Sequence, residues 1–444
     1  MIRLAAVFLV IIMTVFAVGT ALAAETLPLQ KMIDEAENGA IVTPPPGVYK
    51  GPIYIDKPIT LDGQGKVTIN AGGEGSVIVL ETDGATVRNL TLLNSGDQHN
   101  DIDSGVQVRG DNNVIKDNII DDCLFGVDLQ QSSNNIVRRN KIGSKKFHLG
   151  VRGDAVRLWY SMRNRITDNV IHGSRDFVVW YSANNEIKNN HISGGRYGLH
   201  FMYAKYNLVE GNTIEGNSVG VFLMYSDDVV VSNNRITRAL GATGMGIGMK
   251  ESSNVDIIDN EILYAATGIY LDVSPFQPDT TNRLYRNTIA FNNIGVMFLN
   301  DWTGNDIKDN RFENNIRQVS VAAFASAKRN LWESNYWDDY EGFDRDQDNV
   351  GDFPYDVRVY ADRIWMDVPH AAYFKGSPVL TTLDFLERLA PFTEPILMLR
   401  DAKPKMNSAF ITTPKEDPRR EELRGVGEDF DPFGLKERLK NRKQ

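Results

Sequence analysis

Two methionines with soft-metal chemistry stand one repeat apart in this chain. Met202 lies in Gly198-Leu199-His200-Phe201-Met202-Tyr203, and Met224 in Gly220-Val221-Phe222-Leu223-Met224-Tyr225. Thioethers are soft ligands that select Cu(I), and a neutral imidazole such as His200 suits the same ion. A strand alternates its side chains between two faces. If these segments are strands with Leu199, Phe201 and Tyr203 inside, then His200 and Met202 point out. Val221 and Leu223 then point in, and Phe222 and Met224 out. The same alternation turns Trp159, Val178, Trp180, Tyr270 and Met297 outward, which makes one stripe of aromatic rings and thioethers. A large exposed apolar stripe marks a partner or ligand surface. Three readings stay open: Cu(I) held by His200, Met202, Met224 and Met297; a docking face built on Trp159, Trp180, Phe222 and Tyr270; or plain packing, should the alternation be off by one.

A second group is Asp344, Asp346 and Asp348, followed by Gly351 and Asp352. Alternate carboxylates on a tight turn suit Ca²⁺, but the sixth-position Gly and twelfth-position Glu of an EF-hand are missing. A polar turn held by its own hydrogen bonds is the competing reading. The remaining histidines carry little signal: His172 and His191 flank turns, His99 and His148 fall in polar loops, and His370 lies in the C-terminal region. Asp103, Asp128 and Asp154 are scattered carboxylates rather than the close pair that glycoside hydrolysis needs.

The elements that must position these groups are repeats. The pattern Asn-x-Ile, a short gap, a second Asn-x-Ile, a Gly-containing turn and Gly-φ-x-φ recurs along the chain, as in NNEIKNNHISGGRYGLHFMY and YNLVEGNTIEGNSVGVFLMY. Gly198, Gly220, Gly246, Gly268 and Gly295 fit a basic rung of about 22 residues, with insertions such as ALGATG and SPFQPDTT at one corner. Each rung contains β-rich runs of only three to five residues, too short for helices. Asn118, Asn140, Asn169, Asn190, Asn212, Asn234, Asn260, Asn287 and Asn310 recur at fixed offsets and predict hydrogen-bonded ladders between rungs. The fold class is all-β: a parallel β-helix over 48–337, right-handed by the general rule for parallel crossovers.

The ends complete the plan. Arg3, the apolar run Leu4 to Val18 and Ala21-Leu22-Ala23 read as a cleaved signal peptide over 1–23, which places the mature chain in the periplasm or outside. Residues 24–47 form a short cap on the first rung. Residues 338–402 are irregular and aromatic, ending in a short amphipathic helix with Leu383, Phe385, Leu386 and Leu389. Residues 403–444 read as a charged, disordered tail. The net charge of −10, from 48 basic and 58 acidic residues, excludes the basic surface of a nucleic-acid binder. One cysteine, Cys123, excludes a disulfide framework.

The rungs NNxIxxNxI, GLHFMY and GVFLMYSD, the junction NYWDDYEGFDRDQDNVGDFPY and the segment SPVLTTLDFLERLAPF together resemble the NosD family, periplasmic maturation proteins of nitrous oxide reductase. The resemblance covers nearly the whole chain except the charged tail. It implies an accessory protein, not an enzyme, that sits on the membrane subunit of an ABC transporter with its ATPase. It further implies transient copper, passed from a lipoprotein chaperone toward the copper–sulfide centre of the reductase. The segment from Ser377 to Leu399 would then be the docking element. A polysaccharide-processing or carbohydrate-binding β-helix is the alternative.

Overall fold

A computed structural model describes residues 29–322, 326–359, 374, 377–390 and 395–410. The signal segment 1–23, His370, the side chain of Leu383 and the tail from 411 onward lie outside the described residues.

The chain coils into a parallel β-helix. Each full turn gives one strand to a 12-stranded sheet and two short strands to a 24-stranded sheet. One turn is Tyr197–Met202 in the first sheet, with Leu208–Glu210 and Thr213–Glu215 in the second. It stacks in parallel register on the corresponding strands of the next turn. The inner column of the first sheet runs Leu199, Val221, Ile247, Ile269 and Val296, all fully buried. Successive partners lie 22, 26, 22 and 27 residues apart, the same steps as the glycines. Like-on-like stacking of branched side chains thus forms the core, and insertions are absorbed at the corners.

Those glycines have a steric cause. A Cβ on Gly220 would sit 2.4 Å from the carbonyl oxygen of Gly246 and 2.4 Å from Cγ2 of Ile236. The next rung approaches so closely that only hydrogen fits there.

The asparagine ladder is continuous and directional. Each side-chain Nδ2 donates to Oδ1 of the next rung, from Asn118 through Asn140, Asn169 and onward to Asn310 and Asn335, at 2.9–3.1 Å. The left-handed backbone position is not the ladder asparagine but the residue before it, such as Asp117, Arg139, Asp168 and Asn189. The ladder ends on Asp401, whose Oδ2 accepts from Asn335 Nδ2 at 2.9 Å.

Both ends are covered. At the start, the helix Leu29–Asp34 buries Leu29 and Ile33 against the first rung, and the Gln30 amide pairs with the backbone of Tyr54. At the far end an antiparallel pair, Tyr355–Val359 with Ile396–Asp401, closes the coil. Trp337 stacks between Phe312 at 4.2 Å and Tyr355 at 4.4 Å, and Met398 and Leu399 are buried. The expected docking segment therefore divides. Its last strand belongs to this closure, whereas the helix Pro378–Leu389 leaves Phe385, Leu386 and Leu389 exposed. Lys403 to Met406, read from the sequence as the start of a tail, also join the closure. Lys405 N donates to Asn335 O, Met406 N to Asn349 O, and Lys403 pairs with Glu333. No helix among the described residues is long and apolar enough to cross a membrane.

Candidate metal-binding stripe

The outward residues of the 12-stranded sheet form two neighbouring columns. One runs Val178, His200, Phe222, Gly248, Tyr270, Met297, and the other Trp159, Trp180, Met202, Met224, Lys250, Asp272. Leu199, Phe201, Val221 and Leu223 face the core. His200, Met202, Phe222 and Met224 are half-buried on the outside, as the alternation requires. Two positions depart from it. Val178 is in the outward column yet fully buried. Tyr203 is not inside: the chain turns left-handed there, at φ 49°, and its ring stacks in a corner column between Tyr181 and Tyr225.

The register decides which candidates meet. Met202 and Met224 are direct partners on adjacent rungs, Trp180 is the partner of Met202 on the other side, and His200 is two residues along Met202's strand. Met297 shares the face but stands three rungs beyond Met224 and in the other column, ~14 Å away at the backbone. Tyr270 lies two rungs beyond Phe222. The expected four-ligand set thus separates into a cluster of His200, Met202 and Met224, with Met297 apart. Met245 was missed from the sequence. A Cβ on Gly248 would lie 2.4 Å from Cδ2 of Phe222 and 3.2 Å from Met245 Sδ, so the ring and the thioether both close over that glycine. The signal was Gly248 itself, an outward strand position without a side chain.

His200 sits in a box of rings: stacked on Tyr197 at 4.6 Å, edge-on to Trp180 at 5.5 Å, and 6.3 Å from Phe222. Burial lowers its pKa to about 4, and the guanidiniums of Arg196 and Arg175 push it the same way against the pull of Asp176. The imidazole is therefore neutral at physiological pH, the form that ligates metals. Its Nδ1 is buried and has no hydrogen-bond partner among the described residues. A half-buried neutral imidazole with an orphaned nitrogen beside two thioethers fits a soft monovalent cation. Cys123 does not join them. It is buried, its thiol donates to the carbonyl of Asp121 at 3.3 Å, and burial pushes its pKa up to about 12.

The scattered carboxylates are tied up. Asp128 is fully buried between Arg109 and Arg157, at 2.8 Å from each. Asp103 accepts the Gln98 amide at 2.8 Å. Asp154 pairs with Arg175 at 2.9 Å, yet burial raises its pKa to about 6, with Asp176 adding to the rise. A carboxyl that holds its proton more tightly when folded stabilises the fold most below its unfolded value near 3.8, and loses that contribution as pH rises through about 6. Urea unfolding between pH 4 and pH 7 should show Asp154→Asn gaining on the parent by up to ~3 kcal/mol as pH rises; a parallel pair of profiles would refute this.

Asp344, Asp346 and Asp348 do come together, with one oxygen of each within 4.8 Å of the others. Their oxygens accept amides of the same loop: Asp344 takes Gln347 N and Asn349 N, and Asp348 takes Val350 N. Asp348 also raises the pKa of Asp346. Phe385, Leu386 and Leu389 lie on the exposed helix, remote in sequence from the stripe.

Residues 138–342 match the family model described as "Periplasmic copper-binding protein (NosD)". The chain is 31% identical over 394 residues to the "Probable ABC transporter binding protein NosD" of Pseudomonas aeruginosa, covering 84% of this chain and 88% of that one. It is 30% identical over 421 residues to the protein of the same name from Stutzerimonas stutzeri, covering 88% and 92%. Among solved structures, the A-module of the Azotobacter vinelandii mannuronan C-5 epimerase AlgE4 aligns at TM-score 0.47 and 17% identity, over 67% of this chain and 92% of that one. With near-complete coverage of both curated relatives, this chain belongs to the NosD family.

Proposed function

We propose that this protein is a periplasmic accessory, not an enzyme, that carries Cu(I) on His200, Met202 and Met224. The copper is cargo. A copper-chaperone lipoprotein delivers it, and it leaves toward the copper–sulfide centre of nitrous oxide reductase while the carrier is docked on the membrane subunit of an ABC transporter with its ATPase. The observation that carries this reading is the neutral, orphaned imidazole beside two register-paired thioethers. Soft sulfur and neutral nitrogen suit Cu(I) over the harder ions of the periplasm. The test is competition of the mature chain with bathocuproine disulfonate for Cu(I). Withdrawal of one equivalent supports the proposal, and no withdrawal ends it.

Docking is assigned to the helix Pro378–Leu389, which presents Phe385, Leu386 and Leu389 to solvent at 58%, 50% and 66% exposure. Such an apolar helix face suits a hydrophobic groove on a partner. Phe385→Ser with Leu389→Ser should cut co-purification with the transporter at least about tenfold, because each large buried side chain is worth ~1.5–3 kcal/mol. The thermal midpoint should hold, since the closure of the coil uses Ile396–Asp401 instead. Undiminished co-purification would remove the helix from the interface.

A further inference from the structure

We propose that Trp180 is a direct partner of the bound ion, closing the copper site with the face of its indole rather than serving only as a docking surface. This rests on the copper reading of His200, Met202 and Met224. Trp180 is the register partner of Met202 and meets His200 edge-on at 5.5 Å, so it borders two of the three soft donors. Cations are held over aromatic faces by the ring quadrupole, most strongly by tryptophan.

Two neighbouring rings on this face already lie against cations that are also paired with carboxylates, Arg157 with Asp128 and Arg196 with Asp176. The guanidinium of Arg157 lies 4.8 Å from the centre of the Trp159 ring, and that of Arg196 lies 5.0 Å from the centre of Tyr197. Trp180 stands between them, packed on Trp159 at 5.9 Å, and among the described residues no resident cation covers it. Trp159 and Tyr197 already hold a guanidinium, whereas Trp180, the register partner of Met202, holds none among the described residues.

The indole also carries a cost here. Its Nε1–H is buried without an acceptor among the described residues. A buried unsatisfied donor is destabilising by ~1–3 kcal/mol. Phenylalanine would fill the position without that cost, as it does at Phe222 one rung beyond His200. What the indole adds over phenylalanine is a larger face and a stronger quadrupole, and the quadrupole acts on a cation that sits against it. The ring would also exclude water from one side of a low-coordinate ion.

The test is a Cu(I) titration of the mature chain, read by competition with bathocuproine disulfonate and by the tryptophan near-ultraviolet difference spectrum and emission. One equivalent should quench emission and perturb the indole absorption. Trp180→Leu should abolish the perturbation and weaken binding about tenfold, with Trp180→Phe in between. Trp302→Phe, in a loop that follows the strand five rungs beyond Trp180, is the spectroscopic control. Far-ultraviolet circular dichroism shows whether each variant keeps the coil, and the milder Trp180→Phe carries the test if Trp180→Leu does not fold. If copper still binds in a Met202- and Met224-dependent way, and Trp180→Leu and Trp180→Phe change neither affinity nor spectrum, Trp180 is no partner of the ion and the copper site stands without it. If the parent binds no Cu(I), both readings fall together.

Discussion

Replacing Met202 and Met224 together by leucine is expected to weaken Cu(I) binding roughly a hundredfold, on the order of 3 kcal/mol, while leaving the coil folded. Leucine nearly conserves the volume of methionine, and such exchanges cost under ~1.5 kcal/mol. Both side chains are only half-buried on the outer face, so the core columns beneath them are untouched. What the exchange removes is both thioethers, leaving His200 as a lone nitrogen donor. Met297→Leu is the internal control. It lies three rungs beyond Met224 and in the other column, so affinity should stay at the parent value. The measurement is competition against bathocuproine disulfonate, with circular dichroism to follow the fold. An unchanged affinity in the double variant would remove copper from this part of the stripe. A drop in the Met297 variant equal to that of the pair would move the site along the sheet.

Asp401→Ala is expected to cost ~4 kcal/mol and to open the coil from its C-terminal end. The buried carboxylate accepts from five donors: Asn335 N and Nδ2, Trp337 Nε1, Ser334 N and Lys403 N, at 2.9–3.2 Å. Alanine would strand all of them, and each unsatisfied buried group costs ~1–3 kcal/mol, less where water can enter. Asp401→Asn keeps one acceptor oxygen but sets an amide NH₂ against amide donors, so about half the loss is expected. In a solenoid each repeat leans mainly on its neighbours, so the damage should be local. Hydrogen exchange should speed up across Arg311–Trp337 while Ile78–Leu80 and Ser104–Val108 keep their protection. Uniform protection along the chain in Asp401→Ala would contradict the capping role.

The coil was readable because its cause is periodic. Alternation placed Leu199 and Val221 inside and His200 and Met224 outside with no long-range information, and the asparagine spacing marked the ladder. Reading failed where something non-periodic intervened. Tyr203 was placed inside because a two-residue alternation cannot register a left-handed corner. Met297 was grouped with Met202 because alternation reports the face and not the column. Asp401 was invisible for a different reason: it ends an asparagine ladder without being asparagine, and it reaches Asn335 across 66 residues of chain. The soft-donor cluster itself was half legible. Residue types and rung spacing suggested it, but the aromatic enclosure and the orphaned Nδ1 of His200 need coordinates.

The one-way run of the ladder also orders events in time. Each ladder amide donates once to a carbonyl of the coil before it, as Asn140 does to Ile115, and once to the next asparagine, so each new coil can be stitched onto the one before it as the chain emerges, N-terminus first. The last coil cannot finish in this way. Until Asp401 returns, Asn335 is left with open donors, and the final strands present a bare edge on which a second chain can pair. Closing a loop of that length is slow compared with stitching neighbouring coils. The most vulnerable moment in the life of this molecule therefore comes late, after the donor stripe is built and before the end is sealed. A helper that shields the nascent protein should act on that terminal edge.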